Sequence, residues 1–408
     1  MEFTFARTEK DLKEIADMMG KIFRRKNWFE FYNQRMDYQT KSPFYKPEHS
    51  RIARDNGKIV GHVSIIEKYL SIDGAPVKTA GIGDVFTHPD ARGKHVSSHL
   101  MNDAVEYMKN NDFPLSMLYG IPRFYHKFGY IEAMGSHKIF IPFKNAALIK
   151  SEREFRPCRN EDIPALNRIY LESNRNKTGF VHRVEKSWYN IAKPKELFVF
   201  TDNENKPEAY VIYKKVWGGG GYVSEVVAPS EELREAVLAF CIEKAKESFQ
   251  CELEFRLAPD MPFSSYLLDF GGRVESMYYA EGEGNAMLRI IDLPLLLKTI
   301  EPILQKRFRQ MIDTDKECAL NIVTEKAGEA SIIYKSGDVA VSAGKISGAH
   351  TFTTKQNLLV RSVIGYWGPE RLISRTRKEG IDVDDQAAEI ISNLFPPLNP
   401  VTSEPDYF

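Results

Sequence analysis

The spacing of apolar residues divides the N-terminal part of the chain into helices and strands. Apolar residues recur every three or four positions after Thr8, which predicts an amphipathic helix capped by that threonine. From residue 51 to residue 89, short β-branched runs alternate with turn sequences such as Asp73-Gly74, a pattern typical of an antiparallel meander. A strand (PLSMLYG) and a compact turn (IPRFYHKFGYI) follow a second predicted helix. That helix has apolar residues four positions apart at Val96, Leu100, Ala104 and Met108.

The same order of elements returns about 150 residues later in a weaker form. Residues 162–169 echo residues 11–18, and the stretch from Ser224 echoes the stretch from Gly83. The segment SYLLDFGG likewise echoes FYHKFGY. Because the echoes keep their order, we interpret them as a degenerate tandem copy of one domain.

The pattern changes from about residue 285 onward. MLRIIDLPLLLKTIEPILQKRF predicts a strand and an amphipathic helix, and SIIYKSGDVAVSAGKISGAHTFTTK predicts a hairpin-rich sheet. The final segment, FPPLNPVTSEPDYF, is rich in proline, which excludes a helix and favours an extended tail ending in two aromatic residues. We therefore expect three domains, at residues 1–150, 151–284 and 285–408.

Composition narrows the classes of function. Lys+Arg and Asp+Glu both number 56, so the chain lacks the basic footprint of a nucleic-acid-binding protein. No apolar run reaches the roughly 18 residues of a membrane span, and the first residues carry charges where a secretory signal is apolar. We expect a cytoplasmic protein without a membrane partner. The four cysteines have no paired spacing, so neither a disulfide framework nor a metal site is expected.

The segment VFTHPDARGKHVSSHL joins a predicted strand to a predicted helix through a turn containing Arg92, Gly93 and Lys94. Backbone N–H groups at such a helix start bind phosphate or pyrophosphate. Ordinary strand-to-helix turns are also rich in glycine and lysine, so a purely structural turn is the alternative.

This segment resembles the coenzyme A signature of the GCN5-related N-acetyltransferases (GNAT), V-x-x-x-P followed by R-x-x-G-x-G/A. Val85, Pro89 and Arg92 match it, whereas His95 and Ser97 stand at the two small-residue positions. The resemblance implies acetyl-CoA as co-substrate and a fixed N–H donor for its carbonyl around Phe86 or Thr87. The implied cofactor-binding residues are Val85, Phe86, Thr87, Arg92, Gly93, Lys94, His95, Val96 and Ser97.

About thirty residues further on, RFYHKFGY resembles the second GNAT mark, F-Y-x-x-x-G-F/Y. The resemblance implies that Tyr125 protonates the departing thiolate, although a tyrosine in this setting is otherwise a core aromatic. The tandem copy has Leu267 in place of Tyr125 and Glu231-Glu232-Leu233-Arg234 in place of the turn. We therefore expect the second copy to be catalytically silent.

The three-part layout is similar to the Eis (enhanced intracellular survival) acetyltransferases. The resemblance implies an α+β fold with tandem GNAT-type domains, each a mixed sheet flanked by helices, and a sterol-carrier-like α+β domain. It also implies a homo-oligomer, a hexamer in that family, and a terminal carboxylate, here of Phe408, that enters the active site as general base. Acetyl transfer would go directly to a primary amine of an aminoglycoside-like, polyamine-like or peptide acceptor.

Three residues are candidates for contacting the acceptor. Asp84 would attract an ammonium group, or it is a solvated residue at a strand end. Trp28 and Phe29 belong to an aromatic stretch that would line an acceptor pocket or pack in the core. Two other functions remain open: a carrier of lipids or hydrophobic ligands, which rests on the third domain, and an acetyl-CoA-binding pseudoenzyme.

Overall fold

The computed structural model describes residues 1–23, 28–192, 195–216, 219–313 and 316–407. Its strands are β1 Glu2–Phe5, β2 Ser50–Asp55, β3 Lys58–Ile72, β4 Ala75–Thr87, β5 Leu115–Gly120, β6 Ile131–Glu132, β7 Ser136–Pro142, β8 Phe155–Pro157, β9 Leu197–Thr201, β10 Pro207–Lys215, β11 Gly221–Val227, β12 Glu252–Phe255, β13 Arg273–Met277, β14 Asn285–Ile290, β15 Cys318–Thr324, β16 Gly328–Lys335, β17 Asp338–Ala343 and β18 His350–Thr354.

The α-helices surround these strands in chain order. They are α1 Glu9–Ile22, α2 Trp28–Lys41, α3 Val96–Lys109, α4 Phe143–Ala146, α5 Ile163–Ser173, α6 Glu231–Glu247, α7 Pro262–Leu268, α8 Leu293–Thr299, α9 Glu301–Met311, α10 Gln356–Val363, α11 Pro369–Lys378 and α12 Asp385–Leu394. Short 3-10 turns lie at Pro47–His49, Pro89–Ala91, Tyr125–Phe128, Asn160–Asp162, Glu185–Asn190 and Glu404–Asp406.

The locally coded elements form as predicted. The Thr8 side chain accepts the Asp11 N–H and the Asp11 carboxylate accepts the Thr8 N–H, so the predicted cap of α1 is confirmed as a capping box. The predicted meander is β2, β3 and β4, and the second predicted helix is α3, which buries the predicted apolar face. The sequence PLSMLYG is β5.

Two seven-stranded sheets share one strand order. The first runs β1-β2-β3-β4-β5-β14-β6 and the second runs β8-β9-β10-β11-β12-β7-β13. Each contains a central parallel pair, β4 with β5 and β11 with β12, within mostly antiparallel neighbours. This correspondence gives the mixed α/β architecture of GNAT-like sheets and accords with tandem copies.

One strand of each sheet comes from the other half of the chain. β7 follows β6 in sequence but pairs with β12 and β13, whereas β14 follows β13 and pairs with β5 and β6. Two compact units result, one of Met1–Ala133 with Tyr279–Leu398 and one of Met134–Tyr278 with Asn399–Tyr407. The chain passes between units after residues 133, 278 and 398, and these positions differ from the predicted domain borders at 150 and 284.

Each seven-stranded sheet packs on a long helix. In the first unit, α3 covers β3, β4 and β5 through Leu100, Met101 and Met108, all buried. In the second unit, Phe240 and other residues of α6 pack against β9 to β12. Burial of each such side chain contributes about 1.5–3 kcal/mol relative to exposure, so this packing holds both sheets in place.

The third part of the chain forms a four-stranded sheet in the order β17-β16-β15-β18. The predicted hairpin-rich sheet corresponds to β16, β17 and β18. The rings of Phe308 on α9 and Tyr334 on β16 stack with centroids 5.1 Å apart. In this structure these elements belong to the same compact unit as the first sheet.

The remaining sequence-level expectations concern cysteines and membranes. All four cysteines are free thiols: Cys158 and Cys241 are buried, Cys318 is partly buried and Cys251 is exposed. Burial raises the pKa of the Cys158 thiol to about 12. None of the helices in the described ranges is long and apolar enough to cross a bilayer.

Candidate active site

The first sheet opens between β4 and β5. The parallel pairing of these strands runs from Thr79 with Leu115 to Ile82 with Leu118 and ends there. The rest of β4, through Thr87, continues to pair with β3 on its other side. Beyond Ile82 the two strands therefore diverge, and one side of β4 directs its backbone polar groups into the opening.

A β-bulge interrupts β4 at the start of this opening. The register shifts between His62 and Ser64 of β3, so that Asp84 and Val85 together face Val63. Asp84 has a φ of 52°, in the left-handed region. The His62 Nδ1 lies 2.9 Å from the Asp84 carbonyl oxygen, and burial lowers the pKa of His62 to about 4. Neutral His62 thus donates to the bulged peptide and holds it in place.

The register selects which backbone N–H faces the opening. The His88 N–H donates to the Val60 carbonyl at 2.8 Å, and Phe86 pairs with His62. Because alternate residues of an antiparallel strand bond to the same neighbour, Phe86 faces β3 and Thr87 faces the opening. The Phe86 side chain is buried in the core. Of the two predicted donors, the geometry favours the Thr87 N–H.

The predicted phosphate turn connects β4 to α3. Arg92, Gly93, Lys94 and His95 are all exposed, and the 14-residue helix α3 begins at Val96. Gly93 has a φ of 79° and His95 a φ of 59°. The first N–H groups of a helix have no acceptor within the helix and carry its positive dipole end. The start of α3, with Ser97 in its first turn, therefore offers backbone N–H donors of the kind that bind a pyrophosphate.

The left-handed conformation of His95 predicts how its replacement changes the affinity for acetyl-CoA. A left-handed residue with a Cβ is strained, and a glycine relieves that strain and removes the side chain next to the phosphate donors. We expect His95→Gly to bind acetyl-CoA as tightly as the native chain or several-fold more tightly. His95→Ile should bind more weakly, because a β-branched residue tolerates this conformation least. Calorimetric titration of the two variants measures the difference, and weaker binding by the glycine variant would contradict it.

Tyr125 lies at the far end of β5, in the 3-10 turn Tyr125–Phe128 that ends at Gly129. Its side chain is 9% exposed and packs against Phe124, with ring centroids 4.8 Å apart. Burial raises the pKa of the Tyr125 hydroxyl above its ordinary value. The hydroxyl therefore stays protonated at neutral pH, as a general acid requires.

Gly120 at the end of β5 makes room for this ring. A Cβ at residue 120 would lie 2.4 Å from the Met287 sulfur and 3.1 Å from the Tyr125 ring. We expect Gly120→Ala to lower the free energy of unfolding by about 1–3 kcal/mol and to reduce turnover by displacing Tyr125. Thermal unfolding and steady-state rates measure both effects. Gly368→Ala is the control, because its Cβ would meet only the flexible end of a glutamate side chain.

Hydrogen bonds brace the strands just before they diverge. The Ser116 hydroxyl donates to the Ala80 carbonyl at 2.8 Å and lies 2.7 Å from the Tyr130 hydroxyl. Both side chains are buried, and burial raises the pKa of Tyr130 to about 12. These contacts connect β4, β5 and the segment after Tyr125 at the point where the two strands diverge.

The turn is also bonded to a buried glutamate. His126 Nε2 lies 3.1 Å from a carboxylate oxygen of Glu132, which is fully buried in β6. The other Glu132 oxygen accepts the Gly284 N–H at 2.8 Å. The Arg361 Nε donates to the Glu132 carbonyl at 2.7 Å. Sequence reasoning missed this cluster because its members lie far apart along the chain.

The candidate acceptor residues have different surroundings. The Asp84 carboxylate forms an ion pair with Arg35 of α2 at 2.8 Å, so much of its charge is already compensated. Trp28 and Phe29 begin α2 and are 49% and 64% exposed, with ring centroids 6.1 Å apart. They are therefore surface aromatics rather than core residues. Sequence reasoning did not single out Arg35 or His62, because only the register of the bulge reveals their role.

The described residues of the second unit differ from those of the first at the corresponding positions. At the start of α6, the Ser230 hydroxyl accepts the Leu233 N–H, and Glu231 and Glu232 place negative charge in the first turn. These charges disfavour a bound anion. Leu267 is a buried core residue of this unit. Within the described ranges of the whole chain, no group of three or more His, Cys, Asp or Glu side chains is arranged to hold a metal ion.

Comparisons with known proteins agree with this geometry. Residues 6–133 match the family model of the acetyltransferase (GNAT) domain. A probable N-acyltransferase of Enterococcus faecalis V583 has a similar fold, with a TM-score of 0.78 at 17% identity, covering 100% of this chain and 99% of that one. A GCN5-related N-acetyltransferase from Kribbella flavida (TM-score 0.76, 17% identity) and Eis1 from Mycobacterium abscessus (0.67, 15%) each match over 100% of both chains. No curated protein matches the sequence.

The family match and the site define the class of protein. Residues 6–133 form an acetyltransferase domain of the GNAT type, and the chain is an enzyme of the acyltransferase class. The whole-chain similarities establish the fold, at sequence identities of 15–17%. The resemblance to the GNAT family is thereby confirmed for residues 6–133.

Proposed function

We propose that this enzyme transfers the acetyl group of acetyl-CoA directly to a primary amine. One observation carries the proposal: the opening of β4, the exposed turn before α3 and Tyr125 lie together at the ends of two adjacent strands of one sheet. A thioester placed in such an opening would meet a backbone donor, a phosphate-binding helix start and an acid. No covalent acetyl-enzyme is part of the proposal.

Binding of acetyl-CoA would use the residues of the signature. Backbone N–H groups of the turn and of the first turn of α3 would hold the pyrophosphate, and the exposed Arg92 and Lys94 would add positive charge. Val85 and Thr87, on the open side of β4, would lie along the arm of acetyl-CoA that leads to the thioester. The Thr87 N–H would donate to the carbonyl as its oxygen becomes negative during attack.

The remaining steps are proton transfers. The amine loses a proton as its nitrogen bonds to the carbonyl carbon, and the C–S bond then breaks to release the coenzyme A thiolate. Tyr125 would protonate that thiolate. The base would be the carboxylate of Phe408, whose pKa must rise from about 3.5 for this role. Phe408 lies outside the described residues, so this assignment is supported by the family resemblance alone.

The acceptor class and the assembly also follow from the resemblance. We propose a small molecule or peptide with accessible amines, of the aminoglycoside or polyamine type or with a lysine side chain, and a cytoplasmic homo-oligomer, a hexamer in the Eis family. The exposed aromatics Trp28 and Phe29 and the Asp84–Arg35 ion pair are the candidate acceptor contacts. On the basis of the same resemblance, we propose that the third part of the chain is a sterol-carrier-like domain.

The lipid-carrier alternative is less well supported. A cavity of about 710 Å³ lies beside β15 in the third part of the chain. Its lining includes the charged residues Asp313, Lys316, Glu317 and Glu389. Burying charged groups next to an acyl chain is costly, so this cavity does not favour a lipid.

Calorimetric titration with acetyl-CoA tests the proposal. We expect saturable binding at one site per chain, abolished when Arg92, Gly93 and Lys94 are replaced together by the Glu231–Leu233 sequence of the second copy. Binding would justify a screen of amines for turnover. A native chain that binds neither acetyl-CoA nor coenzyme A would overturn the proposal and leave the carrier as the better account.

A further inference from the structure

The buried carboxylate of Glu132 on β6 joins separate parts of the first unit. One of its oxygens lies 3.1 Å from the Nε2 of His126, in the turn Tyr125–Phe128, which we call the catalytic turn. Because a carboxylate only accepts hydrogen bonds, His126 donates through Nε2. The other oxygen accepts the N–H groups of Gly282 and Gly284 at 3.2 and 2.8 Å, just before β14. Glu132 thus bonds the catalytic turn to a segment about 150 positions further along the chain.

A further connection leads to α10 in the third part of the chain. The Arg361 Nη2 lies 3.8 Å from the same Glu132 oxygen that contacts His126, and the Arg361 Nε donates to the Glu132 carbonyl at 2.7 Å. Arg361 is 2% exposed, and its guanidinium lies 4.3 Å from the centre of the Trp367 ring. Burial lowers the pKa of Arg361 to about 10, which leaves it charged at neutral pH. Loss of either partner would leave the other charge buried and uncompensated, so the pair holds β6 against α10.

The same helix also bonds the chain where the catalytic turn ends. The Gln356 Nε2 donates to the Gly129 carbonyl at 2.6 Å, and its Oε1 accepts the Ile290 N–H at 3.0 Å. The Phe128 carbonyl accepts a hydrogen bond from Arg289 of β14. Glu132 therefore bonds the first half of the turn, whereas α10 and β14 bond its last half.

The backbone of the catalytic turn provides little order of its own. It is a single 3-10 turn, and short 3-10 segments have poorer hydrogen-bond geometry than an α-helix. The Gly129 N–H donates to the His126 carbonyl at 2.8 Å, and the Tyr130 N–H donates to the Tyr125 carbonyl at a longer 3.4 Å. A segment with few bonds of this kind opens locally unless its surroundings hold it. The anchors from β6, β14 and α10 supply that support.

We propose that Glu132 is a positioning residue for catalysis, which holds the catalytic turn through His126 and connects it to α10 through Arg361. This inference rests on the proposed function, in which Tyr125 is the general acid. A general acid acts only within hydrogen-bond distance of the atom that it protonates. A displacement of about 1 Å can cost on the order of 100-fold in rate. The third part of the chain thereby contributes to the chemistry of the first sheet without touching the substrate.

The experiment uses the full chain and matched substitutions of two buried carboxylates. In Glu132→Gln the remaining oxygen can still accept the two peptide N–H groups, whereas an amide replaces the oxygen that faces His126 and Arg361. Asp162→Asn is the control, because Asp162 is also buried and is held by Arg156 at 2.7 and 2.8 Å in the second unit. We expect Glu132→Gln to lower kcat about 10- to 100-fold with the Kd for acetyl-CoA unchanged. Asp162→Asn should lower the melting temperature and leave kcat within about two-fold.

Two substitutions of His126 test its hydrogen bond to Glu132. Glutamine places an N–H donor near the position of the imidazole Nε2, whereas leucine has no donor. We expect His126→Leu to lower kcat about tenfold and His126→Gln to stay within about three-fold of the native enzyme. Both variants keep the Glu132 carboxylate, so they serve as the test if Glu132→Gln does not fold.

A double variant shows whether Glu132 acts through Tyr125. If the anchor only places the Tyr125 hydroxyl, Glu132→Gln should cost little more activity once that hydroxyl is gone. Glu132→Gln combined with Tyr125→Phe should therefore turn over as fast as Tyr125→Phe alone. Losses that multiply would reject the inference, because Glu132 would then act on another step. The rates are those of acetyl transfer from acetyl-CoA to spermidine, or to the amine that the native enzyme acetylates fastest.

Hydrogen exchange gives a readout that does not depend on turnover. The N–H groups of Gly129 and Tyr130 bond within the catalytic turn, so their exchange reports how often the turn opens. We expect these amides to exchange about tenfold faster in Glu132→Gln and at native rates in Asp162→Asn. Native exchange rates in folded Glu132→Gln would reject Glu132 as an anchor.

The outcomes separate this inference from the proposed function. Native turnover in folded Glu132→Gln and His126→Leu would reject the positioning role and leave the proposed function intact. Native turnover in Tyr125→Phe would reject Tyr125 as the acid and the positioning role with it. Absence of acetyl transfer by the native enzyme would overturn the proposed function, and hydrogen exchange would still decide whether Glu132 holds the turn.

Discussion

Replacement of Tyr125 by phenylalanine should lower kcat by about 10²- to 10³-fold and leave the Kd for acetyl-CoA unchanged. The substitution keeps the ring that packs against Phe124 and removes only the hydroxyl proposed as the general acid. Without this hydroxyl, the coenzyme A thiolate leaves unprotonated or takes its proton from water. Steady-state rates and calorimetry on the same preparations give the two quantities.

The pH dependence strengthens this test. Burial raises the pKa of Tyr125 above its ordinary value, so Tyr125 should stay protonated up to about pH 10. Deprotonation of Tyr125 should therefore not lower the rate of the native enzyme below that pH. Tyr130→Phe is the control: it removes the hydroxyl that contacts Ser116 and should lower stability by about 1 kcal/mol with little effect on kcat. Equal, measurable turnover in the native enzyme and Tyr125→Phe would reject Tyr125 as the acid and favour another proton donor.

Extension of the chain by a single alanine after Phe408 should lower kcat by about 10²- to 10⁴-fold. The added residue leaves every side chain in place but moves the terminal carboxylate by about 3.5 Å along the chain. General base catalysis requires the carboxylate within hydrogen-bond reach of the amine or of one bridging water. The acceptor should still bind, so the effect should appear in kcat.

A matched variant separates the carboxylate from the aromatic ring. Phe408→Leu keeps the terminal carboxylate in register and replaces only the side chain, so we expect it to retain most of the activity. Its acidic limb in a pH–rate profile should match that of the native enzyme, whereas the extended enzyme should lose that limb. If the leucine variant and the extended enzyme lose activity equally, the ring rather than the carboxylate is required.

The sequence predicted the elements whose signals are local. The cap of α1, the face of α3 and the turns of the meander each depend on residues within a few positions of one another. The phosphate turn and Tyr125 were found in the same way, because a short motif carries each. The structure adds the divergence of β4 and β5, which brings the phosphate turn and Tyr125 together in one site.

The exchange of β7 and β14 was beyond sequence reasoning. Both are short apolar strands, and which sheet each joins depends on edges formed by residues far away in the chain. The buried ion pairs that Arg183 forms with Glu225 and Asp406 are a similar case, because Asp406 lies 223 positions from Arg183 along the chain. The local sequence around Arg183, GFVHRVEK, gives no sign that this charged side chain will be buried. Such residues are recognised only when the tertiary structure brings their partners together.

The exchanged strands also constrain the synthesis of the protein. β14 lies between β5 and β6, so the first sheet is incomplete until residue 290 has left the ribosome. At about 5–20 residues per second, the nascent chain waits roughly ten to thirty seconds after residue 133 for this strand. During that time the edge of β5 stays open to pairing with another chain. A gene fragment encoding only the first 150 residues would keep that exposed edge permanently and should aggregate rather than yield a minimal enzyme.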